Sequence, residues 1–198
     1  MSILVVGSVA LDTVETPFGR RERALGGSAT FFSVSASFFA PVNLVAVVGK
    51  DFPKEHVEFL KSRKINTRGL KVLDGETFHW IGSYKYDMNE AITHSTCLNV
   101  FERFKPEIPN EYRGKGHLFL ANIDPELQMS VLDQMEKPKL VACDTMNFWI
   151  RGKRDALIAL LRKVHIVVLN EAEARQLTQQ PNLVKAAKII MEIGRAHV

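Results

Sequence analysis

Apolar residues along the chain fall into short continuous runs separated by stretches with helical spacing. The clearest runs are Ile3–Val6, Leu44–Val48, Leu118–Ala121, Leu140–Cys143 and Ile166–Leu169. Each is short and rich in branched side chains. Strands covered by helices on both faces read this way, so the pattern predicts an α/β chain with a mainly parallel sheet. Between the runs the spacing predicts helices over 28–40, 53–63, 125–135, 154–163, 171–177 and 183–193. Ser28 is placed to cap the first, and Pro53 stands in the first turn of the second. The last carries Leu183, Ala186, Ala187, Ile190 and Ile193 on one face.

One segment breaks the rhythm. From Thr77 to Tyr86 the positions alternate, with Phe78, Trp80, Gly82, Tyr84 and Tyr86 on one side and Thr77, His79, Ile81, Ser83 and Lys85 on the other. That is a strand with one covered face. Thr93 to Phe104 alternates in part, through Leu98 and Val100. The two segments are expected to form an antiparallel flap, with Asp87 to Glu90 as its turn.

Composition narrows the function classes. The 198 residues carry 46% hydrophobic side chains and a net charge of +4, which is ordinary for a folded domain and argues against disorder. The densest basic cluster, Arg20, Arg21 and Arg23, is interrupted by Glu22 and is too thin to predict nucleic-acid binding. No apolar run reaches the roughly 18 residues of a membrane span, so no membrane partner is expected. The apolar start at Met1 to Leu11 has no preceding basic residue and does not read as a signal peptide. Two cysteines, Cys97 and Cys143, make neither a disulfide framework nor a metal site, and a reducing cytoplasm is the expected setting.

Candidate chemistry gathers where the runs end. Gly7, Ser8 and Asp12 follow the first run; Asn122 and Asp124 follow Leu118–Ala121; Asp144 and Asn147 close Leu140–Cys143; Asn170 follows Ile166–Leu169. Ligands of open parallel sheets bind beyond the carboxyl ends of the strands. Turn and cap chemistry explains any one of these residues. Four such ends on one edge favour a hydroxyl-rich ligand, because carboxylates and amides pair with vicinal hydroxyls. Gly26-Gly27-Ser28 opens a predicted helix, where bare backbone approaches a ligand closely. Asn170 and Glu173, three apart at a helix start, read either as a capping arrangement or as a polar pair organising water and Mg²⁺ beside phosphates. A P-loop and a G-x-G-x-x-G fingerprint are both absent, which disfavours P-loop NTPases and classical NAD dehydrogenases.

Taken together these residues resemble the PfkB family of carbohydrate kinases, with the ribokinase-like fold. Val5-Val6-Gly7-Ser8 with Asp12 resembles the family's first strand and sugar-contacting aspartate. Leu25-Gly26-Gly27-Ser28-Ala29-Thr30 resembles its N-terminal signature, with Thr30 nearest to the usual asparagine. Val48-Gly49-Lys50-Asp51 resembles the G-x-D element, Asn170 and Glu173 match N-x-x-E, and Thr77–Tyr86 is similar to the β-lid. The resemblance implies a three-layer αβα sandwich with a mainly parallel sheet and a small β-lid. It also implies lid strands at about 13–25 and 76–104, incompleteness at the C-terminus, and one domain part spanning 1–198.

The implied activity is ATP- and Mg²⁺-dependent phosphorylation of an alcohol group on a sugar. A nucleoside kinase of the same fold and a non-catalytic sugar-binding protein are the alternatives. The implied substrate contacts are Asp12, Gly26, Gly27, Thr30, Asn122, Asp124 and Asn147; Asn170 and Glu173 are associated with phosphate and Mg²⁺, with no direct metal ligand. A homodimer through the lid is a further expectation. The family's base is an aspartate in a Gly-Ala-Gly-Asp loop, and that tetrapeptide occurs nowhere in the 198 residues. No catalytic base is therefore assigned, and this chain is expected to be inactive. Glu192 to Val198 can be encoded GAG-ATC-GGA-AGA-GCA-CAC-GTC, which reads like a sequencing-library adapter. The expectation is that the gene continues and that about the last five to seven residues are artefact; a natural stop in intact genomic DNA would reject this. The alternative is a genuine helix end at Gly194.

Overall fold

In a computed structural model that describes residues 2–88, 91–114 and 116–194, strands and helices alternate along the chain. The strands are β1 (Ile3–Val6), β2 (Ala10–Thr16), β3 (Gly19–Gly26), β4 (Val42–Gly49), β5 (Ile65–Leu73), β6 (His79–Tyr84), β7 (Ala91–Cys97), β8 (His117–Leu120), β9 (Leu140–Asp144) and β10 (Ile166–Val168). The helices are α1 (Ser28–Ala36), α2 (Lys54–Ser62), α3 (Pro125–Asp133), α4 (Asn147–Gly152), α5 (Arg154–Leu161), α6 (Glu171–Thr178) and α7 (Leu183–Ile193). Two compact units result: residues up to Val6 with those from Pro106 onward, and Gly7–Lys105.

The first unit is built on parallel strands in the order β10-β9-β8-β1. Ile3 pairs with His117, His117 with Leu140, and Ile166 with Ala142. Val5, Val6, Leu118, Leu120, Val141 and Cys143 are buried, as runs covered on both faces require. Val131, Leu157, Leu160, Leu161, Leu177, Ala186 and Ile190 turn inward from the helices. α3 packs on α5, and α6 on α7. The expected apolar face of α7 is the one that turns inward, and the helix runs through Ile193 with Gly194 beyond it in extended backbone. Residues 195–198 of the suspect tail lie outside the described residues.

The second unit combines two arrangements. β4 lies parallel to β5, with Leu44, Ala46 and Val48 fully buried. A separate four-stranded sheet has the order β3-β2-β6-β7. In it β2 and β3 form an antiparallel hairpin, β2 and β6 run parallel, and β6 and β7 are antiparallel. This sheet contains the expected flap; Asn89 and Glu90 of its predicted turn lie outside the described residues.

Several local expectations are corrected. Gly27, not Ser28, caps α1, because the chain enters the helix at φ +92°, which glycine adopts without strain. The helix ends at Ala36 rather than Ala40; the Ser37 hydroxyl donates to the Val34 carbonyl, and Phe38 and Phe39 remain exposed. Pro53 is the cap residue of α2 rather than part of its first turn. The strand expected over 77–86 is only His79–Tyr84, since Thr77 is drawn into the side-chain contacts of Asp51. The partner strand stops at Cys97, and Asn99–Arg103 coils into a 3-10 turn that buries Val100 and Phe101. Phe101 stacks between Phe78 and Phe104, each at 5.4 Å, and this aromatic stack outweighs the weak alternation. β5 and α4 had no clear signature in the pattern.

Candidate functional site

Asp12 is the centre of the polar cluster in the second unit. It lies within β2, opposite Ala24 on β3 and Trp80 on β6. The Gly27 N–H donates to its Oδ2 at 3.3 Å. A Cβ on Gly26 would stand 1.9 Å from that same oxygen, so only glycine leaves the carboxylate its place. A Cβ on Gly27 would stand 2.4 Å from the Ser8 carbonyl oxygen. Ser8 completes the closure: its hydroxyl accepts from the Ser28 N–H at 3.1 Å, and its carbonyl from the Ala29 N–H at 3.0 Å. The di-glycine is therefore a close-contact device that seats the start of α1 on the turn after β1. Burial pushes the Asp12 carboxyl up to about 6, against the pull of the Gly27 N–H. Tyr84 on β6 is raised by its own burial and then by the Asp12 charge, which places the phenol and the carboxylate in one neighbourhood. Thr30 is buried in α1, and its hydroxyl has no hydrogen-bond partner among the described residues.

Asp51, the aspartate of G-x-D, ties this region together. Its Oδ1 accepts from the Thr77 N–H and hydroxyl, both at 2.7 Å, and its Oδ2 accepts from Arg23 Nη2 at 2.5 Å. The Gly49 N–H in turn donates to the Thr77 hydroxyl at 3.0 Å. One carboxylate thus joins the end of β4 to β3 and to the chain entering β6.

In the first unit, Asn122, Asp144 and Asn170 all stand at the carboxyl edge of the parallel strands, as their spacing predicts. The Thr145 and Asn122 N–H groups donate to the Asp144 carboxylate. Burial, and after it the Glu173 charge, still raises that carboxyl to about 6. The indole N–H of Trp149, on α4, donates to Asn122 Oδ1 at 3.0 Å. The buried Gln128 amide donates to the carbonyls of Leu120, Ala121 and Asp144, lacing the ends of β8 and β9 together. Asn147 is exposed at the start of α4.

Three candidates carry local structural duties. Asp124 caps α3 by accepting from the Glu126 N–H at 2.9 Å and pairs with Lys153 Nζ at 2.7 Å; Lys153 also pairs with Glu126. Asn170 and Glu173 form a reciprocal capping box: Asn170 Oδ1 accepts from the Glu173 N–H at 2.9 Å, and Glu173 Oε2 from the Asn170 N–H at 3.0 Å. Glu173 is half-buried, and its burial raises its carboxyl against the pull of Asn170. The box engages one oxygen of each side chain, so the pair fits Mg²⁺ held chiefly by phosphates and water better than direct ligation. Among the described residues no group of three or more His, Cys, Asp or Glu is placed to hold a metal.

Sequence reasoning missed Trp149 as the partner of Asn122 and Lys153 as the partner of Asp124. Lys153 stands 29 positions from Asp124, and no local spacing announces that pair. Asp144 was visible as a strand-end aspartate, but its charge relation to Glu173 is a long-range contact.

The model of the pfkB family carbohydrate kinases matches residues 2–198. A cytidine kinase of Thermococcus kodakarensis is 32% identical over 195 residues, covering 96% of this chain and 69% of that protein. The ribokinase of Cryptococcus neoformans, solved with ADP, superposes with a TM-score of 0.75 at 19% identity, covering 96% of this chain and 67% of the other. A Burkholderia thailandensis nucleoside kinase, solved with inosine, gives 0.70 at 12% identity over 94% of this chain and 66% of the other. None of the described helices is long and apolar enough to cross a membrane. With its di-glycine turn, N-x-x-E box and ribokinase-like α/β fold, the chain belongs to the pfkB family of carbohydrate kinases, which are phosphotransferases.

Proposed function

We propose that this chain carries the acceptor-binding machinery of an ATP-dependent kinase that phosphorylates an alcohol group on a sugar or on a sugar-bearing compound. The observation that carries the proposal is the Asp12 carboxylate held against Gly26 and Gly27. An ionised carboxylate only accepts hydrogen bonds, and vicinal hydroxyls offer it two donors. Asn122 and Asn147 are the polar candidates of the first unit. Asn170 and Glu173 serve the phosphate and Mg²⁺ side through water. Asp124 keeps its duty as a helix cap. ATP use is supported by the family and by the ribokinase solved with ADP. A second copy pairing through the edges of the lid sheet, β3 and β7, completes the reading.

The nucleoside alternative has its own support, because the relative at 32% identity is a cytidine kinase. The test is equilibrium binding of sugars and nucleosides to the purified chain, with Asp12→Asn as control. Binding that the substitution removes supports the reading; binding of no hydroxylated ligand overturns it. The 198 residues lack Gly-Ala-Gly-Asp, so binding is expected without ADP release.

A further inference from the structure

The outer side of α1 is apolar although it meets solvent. Residues 28–49 carry no ionisable side chain. Phe31 and Val34 stand one turn apart on α1, and Phe38 continues their line in the turn after it. Phe31 stays 63% exposed and Phe38 69%, whereas soluble domains rarely leave large apolar patches uncovered. With Leu25 of β3 and Phe59 of α2 as walls, they line a groove of about 710 Å³. Sites for small molecules run from roughly 300 to 1,000 Å³. Asp12, Gly26 and Gly27 are not part of this lining, so the groove is a different place from the carboxylate described above.

Two polar groups mark the ends of this apolar line. Thr30 lines the groove, is 2% exposed, and its hydroxyl has no hydrogen-bond partner among the described residues. An occupant that supplies an oxygen there removes the cost of that orphan. Eight positions on, the Arg63 guanidinium lies 5.4 Å from the centroids of both Phe38 and Phe59. No carboxylate pairs with Arg63 among the described residues. Residues 60–73 add Lys61, Lys64, Arg68 and Lys71 and no carboxylate, so this end is cationic. The same cations on a second copy would repel it. A recess with a buried hydroxyl in its lining suits an inserted molecule better than a planar lipid surface. We propose that the groove binds a small amphiphile: a hydrocarbon chain lies against the phenylalanines, a carboxylate meets Arg63, and a hydroxyl at the far end meets Thr30. At a helical rise of about 1.5 Å per residue, the two polar ends stand roughly 12 Å apart. The site does not rest on the role given to Asp12.

The experiment is calorimetry of the 198-residue chain with 10-hydroxydecanoate, decanoate and 1-decanol, each below the concentration at which it aggregates. Saturable binding of one molecule per chain is expected. The hydroxy acid should bind about threefold tighter than decanoate, and decanoate about fivefold tighter than decanol. Arg63→Gln should weaken both acids about fivefold and leave decanol unchanged, while Arg63→Lys keeps most of the preference. Thr30→Val, which keeps the shape, should erase the difference between the two acids. Phe38→Ala removes an exposed ring, leaves the core intact, and should weaken all three ligands. Several arms overturn the proposal. Decanol binding as tightly as the acids removes the role of Arg63, and an unchanged acid difference in Thr30→Val removes that of Thr30. Uptake of many molecules without saturation is detergent action rather than a site. If free acids do not bind but vesicles of phosphatidylcholine with phosphatidylglycerol hold the chain through Arg63, the occupant is a membrane surface. Self-association on sizing that Phe38→Ala abolishes makes it a second copy.

Discussion

Asp51 grips Thr77 twice, through the backbone N–H and through the hydroxyl, each at 2.7 Å. Thr77 is almost fully buried, and its hydroxyl also receives the Gly49 N–H. Burial alone would raise the Asp51 carboxyl, but the Thr77 bonds and the Arg23 guanidinium outweigh it and hold it below the usual range. The G-x-D element thus acts as a latch at the root of the lid strands. Asp51→Ala should cost about 2 kcal/mol in chemical denaturation, because it leaves buried donors unpaired. A depressed carboxyl stabilises the fold above its unfolded value, and that stability is lost as pH falls through the folded value. The acid sensitivity of melting below about pH 4 should therefore shrink in Asp51→Asn. Identical acid profiles for the variant and wild type would remove the latch.

Gly26→Ala should abolish ligand binding while the fold largely survives. The added Cβ would stand 1.9 Å from Asp12 Oδ2, and the carboxylate must give way. Gly152→Ala is the matched control, since a Cβ there meets nothing within 4 Å. Retained affinity in Gly26→Ala, measured by calorimetry, would show that Asp12 is not the group that holds the ligand.

The Asp12 carboxyl, raised to about 6 by burial, makes binding and stability respond to pH in opposite directions. The unfolded chain ionises this group near 3.8, so the native state holds the proton more tightly in between. Stability of the unliganded chain should fall as pH rises from about 4 to about 6, and the cost is complete above that. Hydroxyl donors pair more strongly with the ionised form, so affinity should rise through the same window. Asp144, also raised to about 6, adds to the stability trend, so wild type and Asp12→Asn must be compared. A binding profile of the same shape in both would defeat the assignment.

Asp124→Ala separates a cap from a contact. The loss of the bond to the Glu126 N–H and of the pair with Lys153 should cost about 1 kcal/mol. Ligand affinity should stay within about twofold, because the carboxylate is already engaged by those partners. A large affinity loss at unchanged stability would return Asp124 to the ligand.

The buried strands of the parallel sheet were legible because burial on both faces demands continuous apolar runs, and Val5, Leu118 and Cys143 obey it. The capping box of Asn170 and Glu173 was equally legible, since its partners lie within one helical turn. Family membership followed from the order of short motifs, each of which is a local chain property. β5 left no such trace: its residues alternate poorly, and it exists because β4 offers a pairing edge. Nor could spacing show that Gly26 is small on account of Asp12, or Gly82 on account of Trp80. Neighbours in sequence are held together by covalent geometry and a few dihedral angles, so their pattern declares itself. Contacts such as Asp51 with Thr77, or Asp124 with Lys153, depend on where whole elements pack, and that depends on burial summed over the folded chain.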